Sequence, residues 1–311
     1  MLTFFTTAKP FRGHINIIQR NALKSWTLLH PDVEVILFGD DDGAVEVTQD
    51  LGIRHEPYVE RNEFGTNRLD DMFSKAQKMA QHDVLCYVNC DIIFTSDFLR
   101  AIERVRARYL QFLMVGRRWD TPITEPVDYS DPGWAGNVRT FALSTNAQRD
   151  EWWIDYFAFS RGLYTGNVPP LAIGRRAWDN WLMWRGLSSK NPVVDASRVI
   201  VAVHQNHDYN HHPRGEEGVW QGQEAKRNFE LAGGWSHIRA ISDATHEFVS
   251  AERIRSTWLP RRQRNMRCVL DRLENLGPRA WYRLLSLTYG LRQSVGLNRK
   301  GIAQVRARLG K

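Results

Sequence analysis

Long apolar runs are missing from this chain of 311 residues, and cysteine is scarce. No uninterrupted apolar stretch approaches the roughly 18 residues that span a bilayer, and Met1–Lys9 lacks the charged start and apolar core of a secretory signal. We therefore expect a cytoplasmic protein. The three cysteines are Cys86, Cys90 and Cys268. The first two lie on one predicted strand at a separation of about 13 Å, which no disulfide spans, so we expect reduced thiols.

Familiar nucleotide-binding and nucleic-acid-binding motifs are also missing. Neither GxGxxG nor GxxxxGK followed by Ser or Thr occurs in the chain, which disfavours hydride transfer with NAD and phosphoryl transfer by a P-loop. Nothing resembles a recognised nucleic-acid-binding module, so we expect no specific nucleic-acid partner. Internal repeats and low-complexity blocks are not visible either.

Charge is distributed unevenly along the chain. The net charge is +7, yet residues 252–311 carry fifteen Lys and Arg against three acids, a balance of +12, and the first 251 residues sum to −5. We therefore predict a catalytic-looking domain at 1–250 and a basic helical extension at 251–311, whose partners should be anionic. Within the extension, 279–285 mixes aromatic, aliphatic and basic residues as interfacial helices do. An anionic surface at the inner membrane face, a docked helix pair and a homodimer contact remain open.

Alternating apolar segments predict an α/β fold with a mostly parallel sheet and helices on both faces. Apolar runs predict strands, and apolar residues at helical spacing predict helices. The predicted strands are Leu2–Thr7, Val33–Phe38, Ile53–Val59, Asp83–Val88 and Gln111–Gly116, and the predicted helices are Gly13–Leu29, Arg68–Ala80 and Thr95–Ala107. The stretch from Asp120 to Asn146 is rich in Pro, Gly, Asp and Thr, which predicts a long surface loop over the site.

The most informative stretch is Tyr87–Phe94, where an apolar strand ends in an amide and a carboxylate, Asn89 and Asp91. Residues two apart on a strand point to the same side, and parallel sheets bind ligands beyond the carboxyl ends of their strands. Asp91 can therefore hold a hard cation while Asn89 contacts a ribose or a metal-bound water. This pattern indicates a site for a divalent metal and a diphosphate. The alternative is an Asp that caps the next helix.

Polar residues at two further strand ends extend this predicted pocket. Thr6 and Thr7 end the first strand and Asp40 follows the second, so a base, a ribose and a diphosphate could be bound in turn. Arg68 is a candidate for a bidentate phosphate contact, or else a solvated arginine at the start of a helix.

A second apolar strand, Val199–Val203, leads into an imidazole-rich cluster. His204 is the first residue past the predicted strand and is the natural partner of Asp91 in binding a metal, with His207 as a substitute or supporting group. Histidines of a solvated loop are the alternative. A zinc site formed by these histidines alone is disfavoured, because the pattern lacks cysteines and a third spaced ligand.

Two aspartates are candidates for the catalytic base. Asp179 lies in the first turn of a predicted apolar helix, where the helix dipole favours an ionised carboxylate; an N-terminal cap is the alternative. Asp155 is the rival base and could instead bind acceptor hydroxyls. Both lie in an aromatic segment that suggests either core packing or a stacking wall for sugar rings. The aromatic residues are Trp152, Trp153, Tyr156, Phe157, Phe159, Trp178, Trp181 and Trp184.

On these residues the chain resembles the metal-dependent nucleotide-sugar glycosyltransferases of the GT-A fold, in a group of nucleotide-diphospho-sugar-transferase-like proteins. The likeness covers about residues 1–250. Its most specific parts are Tyr87–Phe94, Trp153–Phe159, Pro169–Trp184 and His204–Tyr209.

The resemblance implies a divalent cation (Mn²⁺ or Mg²⁺), a nucleotide-diphosphate sugar as donor, and a glycan or lipid-linked acceptor. Asn89-Cys90-Asp91 departs from the Asp-x-Asp motif of this fold by having Asn first, which leaves open whether Asn89 contacts metal or ribose. His204 matches the late metal ligand of several members. Asp179 matches the base of inverting members, and the metal and Arg68 would offset charge on the departing diphosphate.

Two other functions remain open. A sugar nucleotidyltransferase shares a similar sheet, and the segment Thr6–Gly13 partly matches its phosphate loop. A glycan-binding protein that uses a transferase fold without catalysis is the second alternative.

Overall fold

The computed structural model describes residues 1–166, 168–208 and 215–257. The strands are β1 (Thr3–Thr7), β2 (Glu34–Phe38), β3 (Arg54–Glu56), β4 (Val84–Val88), β5 (Ile92–Ile93), β6 (Leu113–Val115), β7 (Arg118–Thr121), β8 (Tyr156–Ser160), β9 (Val193–Asp195), β10 (Ala202–Gln205), β11 (His246–Ser250) and β12 (Arg253–Ser256). The helices are α1 (Gly13–Thr27), α2 (Ala44–Leu51), α3 (Leu69–Met79), α4 (Ser96–Arg106), α5 (Trp134–Ser144), α6 (Trp178–Ser188), α7 (Gly215–Gln221) and α8 (Gln223–Leu231), with short 3-10 turns at Gly234–His237 and Ile241–Asp243.

Nine strands form the main sheet, in the order β12-β11-β9-β6-β8-β4-β1-β2-β3. Parallel pairing joins β4, β1, β2 and β3 on one side and β6, β9 and β11 on the other. Strand β8 runs antiparallel to both of its neighbours, β4 and β6. The predicted α/β fold with a mostly parallel sheet is therefore confirmed.

Apolar side chains cover both faces of this sheet. Successive residues of one strand point to opposite faces, and Phe4 and Phe5 accordingly belong to two different cores. The core that contains Phe5 also receives α3 and α6, and the core that contains Phe4 receives α1, α2 and α4. Helices therefore flank the sheet on both faces, as the near-continuous apolar strands predict.

A second, three-stranded sheet has the order β5-β10-β7. Helix α5 packs on it through Val138 and Ala142, beside Ile93 and Val203. The prediction of one long loop from Asp120 to Asn146 is therefore wrong. Polar and glycine-rich composition hid a helix whose stability comes from this packing rather than from its own sequence.

Some predicted boundaries also shift. His204 lies inside β10 instead of just beyond a strand, because β10 ends at Gln205, two residues after the predicted strand end at Val203. The main sheet includes β12, which lies within the predicted extension 251–311. Residues 258–311 of that extension lie outside the described residues. Within residues 1–166, 168–208 and 215–257, none of the helices combines the length and the hydropathy of a membrane span.

Candidate functional site

A cleft of about 990 Å³ opens at the carboxyl ends of β1, β2 and β4. This is the edge at which parallel α/β sheets bind ligands, and the volume is at the upper end of the range for small-molecule sites. Most of the predicted site residues line it, together with several that the sequence did not indicate. The polar lining residues include Thr7, Lys9, Asp41, Arg61, Asn89, Asp91, Arg118, Asp120, Arg149, Asp155, Arg175, Asp179, His204, His207 and Glu224.

Asp91, His204 and His207 come together in this cleft, with one possible ligand atom of each lying within 4.8 Å of the others. Nε2 of His207 lies 3.1 Å from Oδ2 of Asp91, and Nε2 of His204 lies 3.9 Å from the same oxygen. Burial alone would raise the pKa of Asp91, but His204, His207 and Lys9 hold it well below its usual range. The carboxylate is therefore ionised, as a metal ligand must be.

Strand pairing explains why residues so distant in sequence meet. Strand β5 pairs antiparallel with β10, with His204 opposite Ile92. Asp91 directly precedes Ile92, and its carbonyl oxygen accepts a hydrogen bond from the backbone N–H of Gln205 (3.1 Å). The small sheet therefore holds the end of β4 against β10 and fixes the carboxylate beside the imidazole.

The residues present fit a divalent cation. Oδ1 of Asp91 is buried and has no hydrogen-bond partner among the described residues. A buried carboxylate oxygen without a donor is costly, and a cation would satisfy it. One carboxylate and two imidazoles suit Mn²⁺ or another transition metal better than Mg²⁺, which prefers oxygen ligands.

Asp120 was not predicted as a site residue, yet it lies next to this cluster. Strands β7 and β10 pair in parallel with Asp120 opposite His204, and Oδ1 of Asp120 lies 3.1 Å from Nδ1 of His204. The carboxylate also accepts hydrogen bonds from Nε of Arg118 (3.0 Å) and from Arg149. Burial would raise the pKa of Asp120, but His204 and the two arginines hold it well below its usual range.

Asp155 and Asn89 hold each other in place at the end of β4. Oδ1 of Asp155 accepts hydrogen bonds from Nδ2 of Asn89 (2.7 Å) and Nη1 of Arg118 (2.7 Å). Oδ1 of Asn89 accepts one from the hydroxyl of Tyr87 (3.0 Å). Oδ2 of Asp155 is buried without a hydrogen-bond partner among the described residues.

Asp179 lies in the first turn of α6 and lines the cleft. The residue before the helix, Ala177, has a φ of 81°, in the left-handed region that disfavours non-glycine residues. Burial raises the pKa of the Asp179 carboxyl to about 7, against the lowering effect of backbone N–H groups. The helix terminus favours an ionised carboxylate, as expected from the sequence, but desolvation is the larger effect on this pKa.

Of the remaining residues predicted to form the nucleotide pocket, one lines the cleft and three do not. Thr7 lines the cleft, and its hydroxyl accepts a hydrogen bond from Nδ2 of Asn67 (2.6 Å). Thr6 is fully buried and does not line it. Asp40 and Arg68 are also not among the lining residues.

Both of these outlying residues are engaged in ion pairs at the surface. Asp40 pairs with Arg61. Arg68 pairs with Asp70, with 2.7 Å between Nη2 and Oδ2. The arginines that do line the cleft are Arg61, Arg118, Arg149 and Arg175.

The aromatic segment divides between core and cleft. Tyr156, Phe157, Phe159 and Trp181 are buried in the core. Trp153 lines the cleft instead, and the guanidinium groups of Arg118 and Arg149 lie 4.9 and 5.1 Å from its ring centroid. Trp178 also lines the cleft but is almost fully buried, with its ring edge-to-face against Tyr87.

Comparison with known protein-family models and with curated proteins gave no match. Among solved structures, the chain is similar to glucosyl-3-phosphoglycerate synthase from Mycobacterium tuberculosis in complex with Mg²⁺ and uridine diphosphate, at 11% identity and a TM-score of 0.45 over 75% of this chain and 80% of that one. It is also similar to TarS 1–349 from S. aureus, at 9% identity and a TM-score of 0.38 over 66% of this chain and 58% of that one. Similarities at this level of identity and TM-score do not indicate a function.

Proposed function

We propose that this chain is a metal-dependent glycosyltransferase that moves a sugar from a nucleotide-diphosphate donor to a hydroxyl acceptor. The observation that carries the proposal is the cluster of Asp91, His204 and His207 in a large cleft that also contains Asp179. A cation-binding cluster and a carboxyl with a pKa of about 7 can assist sugar transfer to a hydroxyl, as a Lewis acid and as a general base.

Asp91, His204 and His207 would hold the cation. The buried Oδ1 of Asp91, which has no hydrogen-bond partner in the part of the chain that the structure describes, supports this role. A divalent cation bound there would act as a Lewis acid that stabilises negative charge on the departing diphosphate. The mixed carboxylate and imidazole set favours Mn²⁺ as the cation. Each of the four arginines that line the cleft already pairs with a carboxylate, so the cation is the main proposed counter-charge for this anion.

Asp179 is the proposed base. Its carboxylate takes the proton of the acceptor hydroxyl while that oxygen bonds to the anomeric carbon and the bond from that carbon to the diphosphate oxygen breaks. A carboxyl whose pKa is near the working pH combines sufficient ionisation with sufficient basicity. The single displacement inverts the anomeric configuration.

Asp155 and Asn89 have different proposed roles. One oxygen of Asp155 already accepts hydrogen bonds from Asn89 and Arg118, which supports a role in fixing the edge of the cleft rather than in taking a proton. Both polar atoms of the Asn89 side chain are likewise engaged. We therefore favour Asp91 alone as the metal ligand from this strand end. Thr7 and Asp41 are the cleft-lining candidates for contact with the nucleoside.

The acceptor class is proposed from the sequence resemblance and the charge of the chain. A glycan or lipid-linked acceptor fits a basic segment that associates with an anionic membrane surface. Flotation with anionic liposomes, using the chain with and without residues 258–311, tests that association while keeping β12 in the sheet. Equal flotation of the two forms would exclude membrane association through this segment. A comparison of the oligomeric state of the two forms tests whether the segment forms a homodimer contact.

The test of the proposed function is a screen of nucleotide sugars with Mn²⁺, read out as nucleoside diphosphate release and as product stereochemistry by NMR. We expect nucleoside diphosphate release, an inverted product, and loss of turnover in Asp91→Asn and Asp179→Asn. Retention of configuration would remove Asp179 from the base role. Pyrophosphate release from a sugar 1-phosphate and a nucleoside triphosphate would favour a nucleotidyltransferase. A melting temperature unaffected by Mn²⁺ and nucleotides would favour a non-catalytic glycan-binding protein.

A further inference from the structure

Lys9 follows β1 and lines the cleft. The side chain of Gln19 holds the backbone of Lys9 in place. The backbone N–H of Lys9 donates to Oε1 of Gln19 (2.7 Å), and Nε2 of Gln19 donates back to the carbonyl oxygen of Lys9 (2.8 Å). Gln19 belongs to α1 and is only 3% exposed. The loop that carries Lys9 is therefore fixed relative to the helix.

The ammonium group of Lys9 lies at the metal-binding cluster. Its Nζ is 3.5 Å from Nε2 of His207, which is in turn 3.1 Å from Oδ2 of Asp91. No carboxylate oxygen of the described residues lies within 4 Å of this Nζ. A partly buried ammonium group with no carboxylate in direct contact retains the capacity to bind an anion.

We propose that Lys9 binds the diphosphate of the donor, next to the cation held by Asp91, His204 and His207. The proposal rests on the proposed function, which supplies the diphosphate. A lysine beside a bound cation repels it, and an anion that contacts both positive groups lowers this repulsion. A diphosphate can make both contacts, because its two phosphate groups offer oxygens to a metal and to an ammonium group at once.

A simpler role would be neutralisation of Asp91 by Lys9, and the two roles differ in what they predict. If Lys9 only neutralises Asp91, its removal changes metal binding and stability but leaves diphosphate affinity at saturating metal unchanged. If Lys9 binds the diphosphate, its removal weakens diphosphate binding at saturating metal and strengthens the binding of metal alone, because a like charge has gone.

The experiment compares Lys9→Met, Lys9→Arg and the control Lys78→Met by isothermal titration. Lys78 is exposed on α3 and outside the cleft, so its variant carries the same chemical change away from the site. Mn²⁺ alone is the first probe. UDP, GDP, ADP and TDP at saturating Mn²⁺ are the second, with the tightest binder used for all variants.

We expect Lys9→Met to weaken nucleoside diphosphate binding by about 10- to 100-fold, the range for a hydrogen bond to a charged group. Mn²⁺ alone should bind it more tightly than it binds the wild type. Lys9→Arg should restore much of the diphosphate affinity, and Lys78→Met should match the wild type. Melting temperatures without ligand identify any variant that is not folded. If Lys9→Met is not folded, the diphosphate affinities of Lys9→Arg and Lys9→Gln are compared instead.

Unchanged diphosphate affinity in Lys9→Met would overturn this inference while leaving the proposed function in place, provided that Asp91→Asn loses Mn²⁺-dependent binding. Unchanged binding of both Mn²⁺ and diphosphate in Asp91→Asn would instead remove the proposed function itself. The two failures are therefore distinguishable in one set of titrations.

Discussion

Oδ1 of Asp120 lies 3.1 Å from Nδ1 of His204, because the parallel pairing of β7 and β10 places these two residues opposite each other. The other ring nitrogen of His204, Nε2, faces Asp91 at 3.9 Å. A carboxylate beside one nitrogen of a histidine favours the tautomer with the proton on that nitrogen, which leaves the other nitrogen available as a metal ligand. Arg118 and Arg149 hold Asp120 in turn.

Asp120→Asn is expected to weaken Mn²⁺ binding by about 10- to 100-fold, the usual effect of removing such a supporting carboxylate. The amide no longer carries the charge that orients His204. Isothermal titration with Mn²⁺ measures the change. Asp50→Asn, a surface position with a 58% exposed side chain, is the control and should bind Mn²⁺ like the wild type. Equal affinities in the Asp120 variant and the wild type would show that His204 needs no such support.

Turnover should depend on pH through the ionisation of Asp179. The base must be unprotonated, and burial raises the pKa of this carboxyl to about 7. We therefore expect kcat/KM to rise with pH up to about 7 and then to level off. Asp179→Asn should lower kcat by about 10²- to 10⁴-fold, the usual contribution of a general base.

Binding of the nucleoside diphosphate should persist in the Asp179 variant, since Asp179 is not one of the metal-binding residues. Asp155→Asn supplies the comparison. If its loss of kcat matches that of Asp179→Asn and it also abolishes the rise with pH, the base is Asp155.

The ionisation of Asp179 should also make the stability of the folded chain depend on pH. Stability should fall over the pH range in which turnover rises. The folded pKa of about 7 lies above the ordinary value of 3.8, so the folded chain binds more protons than the unfolded chain between these values. The contribution of Asp179 to stability is fully present below about pH 4 and is lost as the pH rises through 7. Asp179→Asn removes the buried charge, so its melting temperature relative to the wild type should be higher at pH 8 than at pH 4. A melting-temperature difference that stays constant over this range would contradict the raised pKa.

Much of the fold follows from apolar patterning, because the strands of the parallel half are apolar enough to be covered on both faces. The same patterning brings Asn89 and Asp91 to the sheet edge. The pairing of β10 with β5 and β7 does not follow from apolar patterning, because these strands are only two to four residues long and far apart in sequence. Sequence patterns therefore predicted His204 as a partner of Asp91 but gave no indication of Asp120. The alternation of Arg118 and Asp120 along β7 was the available clue.

Side-chain pairing and desolvation also lie beyond what the sequence reveals. Arg68 had the position of a phosphate ligand, but Asp70 pairs with it. Asp179 had the position of an ionised carboxylate, but burial outweighs the effect of the helix terminus on its pKa. Each outcome depends on neighbours that only the folded chain assembles.

Helix α5 can be tested with a glycine substitution at an exposed position, and Gly116, between β6 and β7, provides a contrasting buried site. Gly136 is exposed in α5, and a Cβ there would meet no atom within 4 Å. Gly136→Ala should therefore stabilise the protein by up to about 1 kcal/mol, the difference in helix propensity. A Cβ at Gly116 would instead lie 2.2 Å from the hydroxyl oxygen of the buried Tyr156.

Gly116→Ala should accordingly destabilise the protein by about 1–3 kcal/mol through overpacking. Midpoints of urea unfolding measure both changes. A destabilising Gly136→Ala would indicate that this segment is a loop after all.

The sharpest test of the proposed metal site is the binding of Mn²⁺ to the wild type and to Asp91→Asn, measured by titration in the presence and absence of a nucleoside diphosphate. We expect the wild type to bind Mn²⁺ and the cation to strengthen nucleoside diphosphate binding. Both effects should be lost in Asp91→Asn while the variant remains folded. The same Mn²⁺ affinity and the same cation-dependent nucleotide binding in Asp91→Asn would contradict the proposed site.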